Sequence, residues 1–505
     1  MDKTCPRLSL CMIVRNEQDQ LSRAILSVRG IVDEIVIVDT GSTDHTITLA
    51  KELSTLLVQI RWNDHFSEAR NLSLEEATGD WILVMDADET LHPDDGPRLL
   101  KMIGEAEADG YFVEIVNQIA SSSGSQEEHF PAVRLFRNDP AYRFTGAIHE
   151  QIRSISAGNL ATSDIRFIHH GNEGDMDKIR NRSIRNIRIL LKEAEQRPDD
   201  EFNLYNLGVE YTVLLQYKEA IIPFERARSL IRDKQPWVAR LYKILVYCYL
   251  KIEHWEQAHS ILEKGIGDFP DYTDLYYLKG MLFTAQNKYK EALLPFYHCL
   301  ALGDAISSGY LAEKGMGTDK AYFALGSIYE ALGEKTRSQL CYQNTFQWNP
   351  AHVEAGRRWM VTVINEQTDI RSAIQAIVTS PAIKHPIAWL TLASILAEKR
   401  EFTLSRYYRK LALKQGASIS AVKMAEVHCS YLEGGIKKAL TRLYSMDNKA
   451  INCNLLEGLI LHLWNERYTK LTEGNEKYPS SLLLRERKDL AQHRLQNQKN
   501  ERLFI

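Results

Sequence analysis

Two aspartates one residue apart, Asp86 and Asp88, close the apolar run Trp81-Ile82-Leu83-Val84-Met85. The run reads as a buried strand, and carboxylates at its end are costly to desolvate unless they meet a cation. A hard divalent cation carrying a diphosphate meets that need, because it takes carboxylate and phosphate oxygens together. A solvated turn that opens a helix at Pro93 explains Asp-x-Asp equally well, so the neighbours have to decide. Asp39 ends the second apolar run, Glu34-Ile35-Val36-Ile37-Val38, where its carboxylate can accept from the ring N–H of a base. Its alternative is to cap the turn into the next helix, a role that Ser42 or Asp44 fills more naturally. Arg70, near the start of the helix before the acidic strand, has the fork to clamp a diphosphate bidentately. Pairing with Glu68 or Glu75 on a solvated face is the plainer alternative.

These residues need a scaffold that brings them together. Residues 8–14, 34–38, 57–61 and 81–85 carry strand patterns, and residues 18–29, 44–53 and 68–77 carry helical ones between them. Such alternation predicts a parallel sheet with helices on both faces. In these sheets ligands sit off the carboxyl ends of the strands. Arg15-Asn16-Glu17, Asp39 and Asp86/Asp88 fall at those ends from three different strands, and this convergence says more than any single motif. Residues 111–116, 132–137 and 165–169 read as further strands that complete the sheet and an acceptor-side wall. The α/β domain is expected to span residues 1–175.

Beyond it strand signals vanish and helical periodicity takes over. A basic helical linker is expected over residues 176–200 and an all-α repeat region over residues 201–505. Gly208, Tyr211, Ala220, Phe224 and Ala227 set the pattern, and its offsets recur at Val246, Tyr249, Ala258, Leu262 and Gly265. They recur again at Gly280, Phe283, Ala292, Phe296 and Cys299, and at Gly326, Tyr329, Ser338, Tyr342 and Thr345. Small residues mark close helix approaches and large ones fill the gaps between, as in the tetratricopeptide repeat, which this region resembles. Clear repeats cover residues 201–350, degenerate ones are expected over 351–505, near Leu392 and Gly458, and residues 303–318 read as an insertion. A solenoid of this kind offers a concave face for an extended peptide or a protein surface. Service as a spacer, or as the arm of a homodimer, is the alternative.

Composition excludes some classes. With 44% hydrophobic and 25% charged residues and a net charge of −4 over 505 residues, nothing points to a nucleic-acid partner. The seven cysteines are scattered and form no Cys-x-x-Cys pair, which fits free thiols in a reducing compartment. No apolar run is long enough for a membrane span or a signal peptide, so a cytoplasmic protein is expected.

The order Met12-Ile13-Val14-Arg15-Asn16-Glu17, Val38-Asp39-Thr40-Gly41-Ser42-Thr43-Asp44 and Asp86-Ala87-Asp88 resembles the family 2 glycosyltransferases of GT-A (Rossmann-like) fold. Three further segments narrow the resemblance: Trp62-Asn63-Asp64-His65-Phe66-Ser67-Glu68-Ala69-Arg70-Asn71, Phe144-Thr145-Gly146-Ala147-Ile148-His149-Glu150 and His169-His170-Gly171. With the trailing repeats they resemble the bacterial enzymes that glycosylate peptides, especially the S-glycosyltransferases of glycosylated bacteriocins (sublancin type). The resemblance implies a UDP-sugar donor whose uracil meets Asp39. Val14, Asn16, Glu17, Arg70, Asp86 and Ala87 would complete the donor pocket. It implies Mg2+ or Mn2+ bound directly by Asp88, with Asp86 on the ribose or a metal-bound water, and with a late histidine at His169, or else His170.

Glu150 is the candidate general base, with His149 orienting it or touching the acceptor. An inverting transfer needs one carboxylate on the acceptor side, whereas a hydrolase needs two across the scissile bond. Pairing of Glu150 with Arg143 or Arg153 is its structural alternative. The function implied is transfer of a hexose or N-acetylhexosamine to a Ser, Thr or Cys side chain of a peptide or protein. A glycan or lipid-linked acceptor, or an inactive sugar-nucleotide-binding scaffold, are the competing readings.

Overall fold

The computed structural model describes residues 6–121, 124–152, 159–170, 176–305, 310 and 312–444. It divides into two units, 1–215 and 216–505. The first is built on an eight-stranded sheet of order β3-β2-β1-β4-β7-β6-β10-β5. Its first four strands, β1 (Leu8–Val14), β2 (Glu34–Asp39), β3 (Leu56–Gln59) and β4 (Trp81–Val84), are parallel, as the alternation predicts. The other half is mixed. β7 (Gly124–Arg137) runs antiparallel to both β4 and β6 (Gly110–Ser121), while β10 (Leu160–His169) is parallel to β6. The short β5 (Glu89–Leu91) closes the edge antiparallel to β10. Three residues carry too little alternation for β5 to be visible in the sequence. A separate two-stranded ribbon joins β8 (Phe144–Thr145) to β9 (Gln151–Ile152).

The two-residue period of a strand sends alternate side chains to opposite faces. Leu8, Leu10, Met12 and Val14 of β1 pack on one face with Leu21, Ile25 and Val28 of α1 (Leu21–Val28) and Leu99 and Ile103 of α4 (Gly96–Gly104). On the other face Cys11, Val36, Ile82 and Val84 pack over Leu74 of α3 (Phe66–Glu76). α2 (Thr46–Leu53) adds Ala50 to the first face. Burial pushes the Cys11 thiol up to about 12, which leaves it a packing residue rather than a nucleophile.

Asp95, just before α4, is fully buried. Burial alone would raise its carboxyl. The Arg166 backbone N–H at 2.8 Å, the Arg166 guanidinium at 2.9 Å and the Arg98 guanidinium outweigh that and hold it at about 2. The unfolded chain therefore takes up this proton at a higher pH than the folded one. The carboxylate stabilises the fold at neutral pH, and that contribution fades as pH falls from about 4 toward 2. Asp95→Asn is expected to flatten the acid limb of a pH–stability curve measured by urea unfolding, with the difference from wild type shrinking toward pH 2.

Two more helices complete the first unit, α5 (Met176–Gln196) and α6 (Glu201–Val213). The division between units therefore falls at 215, inside what the sequence reads as the first repeat. α6 is bound to the α/β part through its buried Glu210, which accepts from Asn186 of α5 at 2.6 Å and lies 3.5 Å from His149.

The second unit is helical throughout its described residues and begins with α7 (Tyr217–Leu230). Hairpins follow from α8 (Pro236–Lys251) and α9 (Trp255–Asp268), from α10 (Thr273–Ala285) and α11 (Tyr289–Leu302), and from α12 (Asp319–Ala331) and α13 (Lys335–Trp348). Two more pairs, α14 (Val353–Glu366) with α15 (Ile370–Val378) and α16 (Pro386–Glu398) with α17 (Phe402–Lys414), lead to α18 (Ile419–Tyr444). A Cβ on Gly280 would come within 2.5 Å of the Phe296 ring, and one on Gly326 within 2.7 Å of the Tyr342 ring. The small and large positions of the repeat thus meet across these two hairpins as the spacing predicts. The expected insertion joins α11 to α12, pinned where Asp304 accepts the N–H groups of Gly315 and Gly317 at 2.9 and 2.7 Å. The repeat expected near Leu392 is the α16–α17 hairpin; the one expected near Gly458 lies outside the described residues.

Candidate active site

At the carboxyl end of β1, the chain turns through Asn16 in the left-handed region (φ 55°). That turn is tied to the loop after β2. The Asn16 N–H donates to Ser42 Oγ at 2.9 Å, Asn16 Oδ1 accepts from the Thr43 N–H at 2.8 Å, and the Glu17 N–H donates to Thr46 Oγ1 at 2.7 Å. Val14 pairs with Asp39 across the two strands and its side chain is core, so anything it gives a ligand comes from its backbone.

Asp39 is 1% exposed and divides its two oxygens. Oδ1 accepts from the N–H groups of Gly41 and Ser42 at 3.0 and 3.1 Å, which is the turn-capping role. Oδ2 is buried and has no hydrogen-bond partner among the described residues. A buried carboxylate oxygen left unpaired calls for a donor from outside the chain.

The segment that carries Glu150 is fastened to α3 residue by residue. Asn71 exchanges two hydrogen bonds with the Phe144 backbone, at 2.8 and 2.9 Å. Ser67 Oγ donates to the Gly146 carbonyl at 2.5 Å, and the Phe66 N–H donates to the Ala147 carbonyl at 2.7 Å. Arg70, one turn along the helix, reaches Glu150 Oε1 through Nε at 2.5 Å and Asp86 Oδ1 through a terminal nitrogen at 2.8 Å. The two long motifs of the sequence, 62–71 and 144–150, are therefore two sides of one assembly.

Asp86 lies between two guanidiniums. Arg134 of β7 gives one nitrogen to Asp86 Oδ2 and to Glu89 Oε1, each at 2.8 Å, and Glu89 Oε2 accepts from the Asp86 N–H at 3.0 Å. Burial alone would raise the Asp86 carboxyl, but Arg134 and Arg70 outweigh it and hold it well below the usual carboxylate range. Glu89, 3% exposed, goes the other way: burial raises it and Arg134 only partly compensates. Arg70 Nη1 and Arg134 Nε are buried and have no partner among the described residues.

Arg134 and Glu89 were not among the residues singled out from the sequence. The available signal was a lone cation in the apolar run Ala132-Val133-Arg134-Leu135-Phe136, a strand that pairs with the one leading to the acidic motif. Arg134→Met leaves Glu89 buried without its counter-charge, and removing one partner of such a pair costs about 3 kcal/mol or more. That loss is expected as a lowered calorimetric transition of the first unit.

Asp88 has a different neighbour. Its Oδ2 lies 3.1 Å from His169 Nε2, and its carbonyl accepts from the His170 N–H at 2.7 Å. The His170 ring turns away to share a 2.8 Å hydrogen bond with Thr90 Oγ1. Of the two histidines, His169 is the one beside Asp88. The structure gives Asp86 to Arg70 and Arg134 rather than to this pair, and Ala87 between them is buried. Among the described residues no three His, Cys, Asp or Glu side chains form a metal cluster. A carboxylate oxygen facing an imidazole nitrogen is nevertheless a two-donor set that suits Mg2+ or Mn2+ when phosphate oxygens complete the coordination. His149, left-handed at φ 52°, faces Glu210 and not Glu150.

Residues 9–159 match the family described as Glycosyl transferase family 2. The first unit carries a family 2 glycosyltransferase domain. The repeats after it are tetratricopeptide-like. A TPR repeat-containing protein of Synechococcus elongatus is 40% identical to this chain over 146 residues, 29% of this chain and 35% of the relative. The chain thus spans about a third of that relative's length. The SPbeta prophage-derived glycosyltransferase SunS of Bacillus subtilis is 25% identical over 292 residues, 56% of this chain and 68% of SunS. Among solved structures, S. aureus TarS aligns over 50% of this chain and 54% of its own, at 13% identity and a TM-score of 0.29.

Proposed function

We propose that the glycosyltransferase domain is an inverting enzyme that moves a hexose or N-acetylhexosamine from a UDP-sugar to a Ser, Thr or Cys side chain of a peptide or protein. One observation carries this reading. At the carboxyl ends of parallel strands lies a buried, unpaired acceptor, Asp39 Oδ2, together with the facing pair Asp88–His169. The first suits the ring N–H of uracil, and the second suits a divalent cation.

In this reading Asp88 and His169 would hold Mg2+ or Mn2+, which would supply charge neutralisation to the departing diphosphate. Arg70 offers its unpartnered nitrogen to a phosphate oxygen while its other two contacts keep Asp86 and Glu150 in place. Glu150 takes the acceptor proton as the acceptor atom attacks the anomeric carbon, and the sugar–phosphate bond breaks on the opposite side. A thiol acceptor asks less of Glu150, since thiols ionise more readily than hydroxyls.

The helical repeats supply an extended surface of the kind that holds peptides, which favours a peptide or protein acceptor. The five described cysteines are free and buried, which favours a reducing compartment and so the cytoplasm. Among the described residues no helix is long and apolar enough to cross a membrane.

The test is UDP release from UDP-glucose and UDP-N-acetylglucosamine with Mn2+, with and without a library of peptides containing Ser, Thr and Cys. Release that depends on peptide is the expected result. Metal-dependent UDP binding with no turnover on any acceptor would make the domain a binding scaffold instead.

A further inference from the structure

The buried carboxylate of Glu210 has no part in donor or acceptor chemistry, yet it is tied to the residue next to the proposed base. Glu210 lies on α6, in the stretch that the sequence assigns to the repeats, and is 6% exposed. Its Oε1 accepts from Asn186 Nδ2 at 2.6 Å and lies 3.5 Å from His149 Nε2. His149 holds φ at 52°, a conformation strained for a residue with a Cβ, which persists where its surroundings enforce it. Toward α3 the same segment is fixed at Phe144, Gly146 and Ala147, and these contacts stop short of His149. On the far side of His149 the next contact is that of Glu150 with Arg70.

We infer that Glu210 is a positioning residue for the glycosyltransferase reaction: through His149 it enforces the left-handed turn that delivers Glu150 to Arg70 and the acceptor side of the site. The inference rests on the proposed role of Glu150. It makes α5 and α6 part of the catalytic apparatus rather than a spacer. Burial alone would raise the Glu210 carboxyl, but the His149 imidazole and the Asn186 and Ser183 side chains outweigh it and hold it below its ordinary value, so it stays charged toward the imidazole. Helix α5 repeats the arrangement nearby: Arg188 pairs with Asp64 at 2.8 Å, and Arg185 lies 5.3 Å over the Phe66 ring, at the start of α3.

The test uses the full chain and two variants, Glu210→Gln and His149→Asn. The second keeps a residue that tolerates the left-handed region and removes the imidazole from a partly exposed position, so it is expected to fold. Amide hydrogen exchange read by mass spectrometry should show residues 144–152 exchanging at least tenfold faster in both variants, with β1 to β4 unchanged. In the peptide-dependent UDP-release assay both should lower kcat about tenfold or more while UDP affinity in Mn2+ stays at the wild-type value. The double variant should be no slower than the slower single one, because both act through one contact. Unchanged exchange in residues 144–152 in both variants would overturn the tether. Faster exchange with an unchanged kcat, or losses that multiply in the double variant, would overturn the positioning role. A Glu150→Gln variant run beside them separates the two ideas. If it too transfers at the wild-type rate, the base assignment fails; if it alone is slow, only the inference about Glu210 fails.

Discussion

Asp88→Ala is expected to lower sugar transfer about a thousandfold or more, because a metal at a departing diphosphate contributes several kcal/mol and each 1.4 kcal/mol is about tenfold in rate. The effect should be this large because, among the described residues, the neighbouring acidic side chains Asp86 and Glu89 are already engaged. Asp86 has both oxygens engaged by Arg70 and Arg134, so it is not free to move into the vacated position without stripping two buried guanidiniums of their partner. His169 alone is a single ligand. Loss of transfer should be matched by loss of metal-dependent UDP affinity, while the melting transition stays near that of wild type, since the Asp88 side chain is about a third exposed. Transfer that survives at more than about a tenth of the wild-type rate would remove Asp88 from the metal site.

Glu150→Gln is expected to separate binding from chemistry. The amide oxygen can still accept from Arg70 Nε, so the α3 assembly and the donor pocket should persist and UDP should bind as before. What is lost is the ability to accept a proton, and general-base catalysis is worth about 10²–10⁴ in rate. With a hydroxyl acceptor the loss should fall in that range. With a thiol acceptor it should be smaller and should diminish as pH rises toward the thiol's own titration, because the thiolate then needs no base. Single-turnover transfer from radiolabelled donor, measured across pH with Ser- and Cys-containing versions of one peptide, reads both. Equal rates for Glu150→Gln and wild type on both peptides would leave Glu150 with its structural role at Arg70 alone.

The sheet's parallel half was legible because each strand is a short apolar run, and three of the four lead into polar residues of the candidate site. The mixed half was less so. β6 and β7 run for 12 and 14 residues, well past their apolar centres at 111–116 and 132–137, because long antiparallel pairing needs no continuous hydrophobic pattern. The repeats announced themselves through Gly280 and Gly326, whose missing side chains leave room for Phe296 and Tyr342.

In the site, the motifs of the sequence bring the candidate residues to notice more readily than their partners. Arg70 reads as either a phosphate clamp or a solvated ion pair, whereas in the fold it is a buried strut between Asp86 and Glu150. Those contacts span 16 and 80 positions, a separation over which helical spacing carries no information. Asp39 posed two alternatives and takes the capping one with one oxygen while leaving the other unpaired. Arg134, Glu89 and Glu210 escaped notice because each is a common residue type outside any motif, and only the register of β4 with β7 and the packing of α6 gives them a role.

The most direct measurement is a calorimetric titration of UDP into the 505-residue chain, once with Mn2+ and once with EDTA. If the cation held by Asp88 and His169 grips the diphosphate, affinity should fall at least tenfold in EDTA and Asp88→Ala in Mn2+ should bind no better than wild type in EDTA. UDP that binds equally tightly in both buffers would contradict the metal-bridged site and the transfer chemistry built on it.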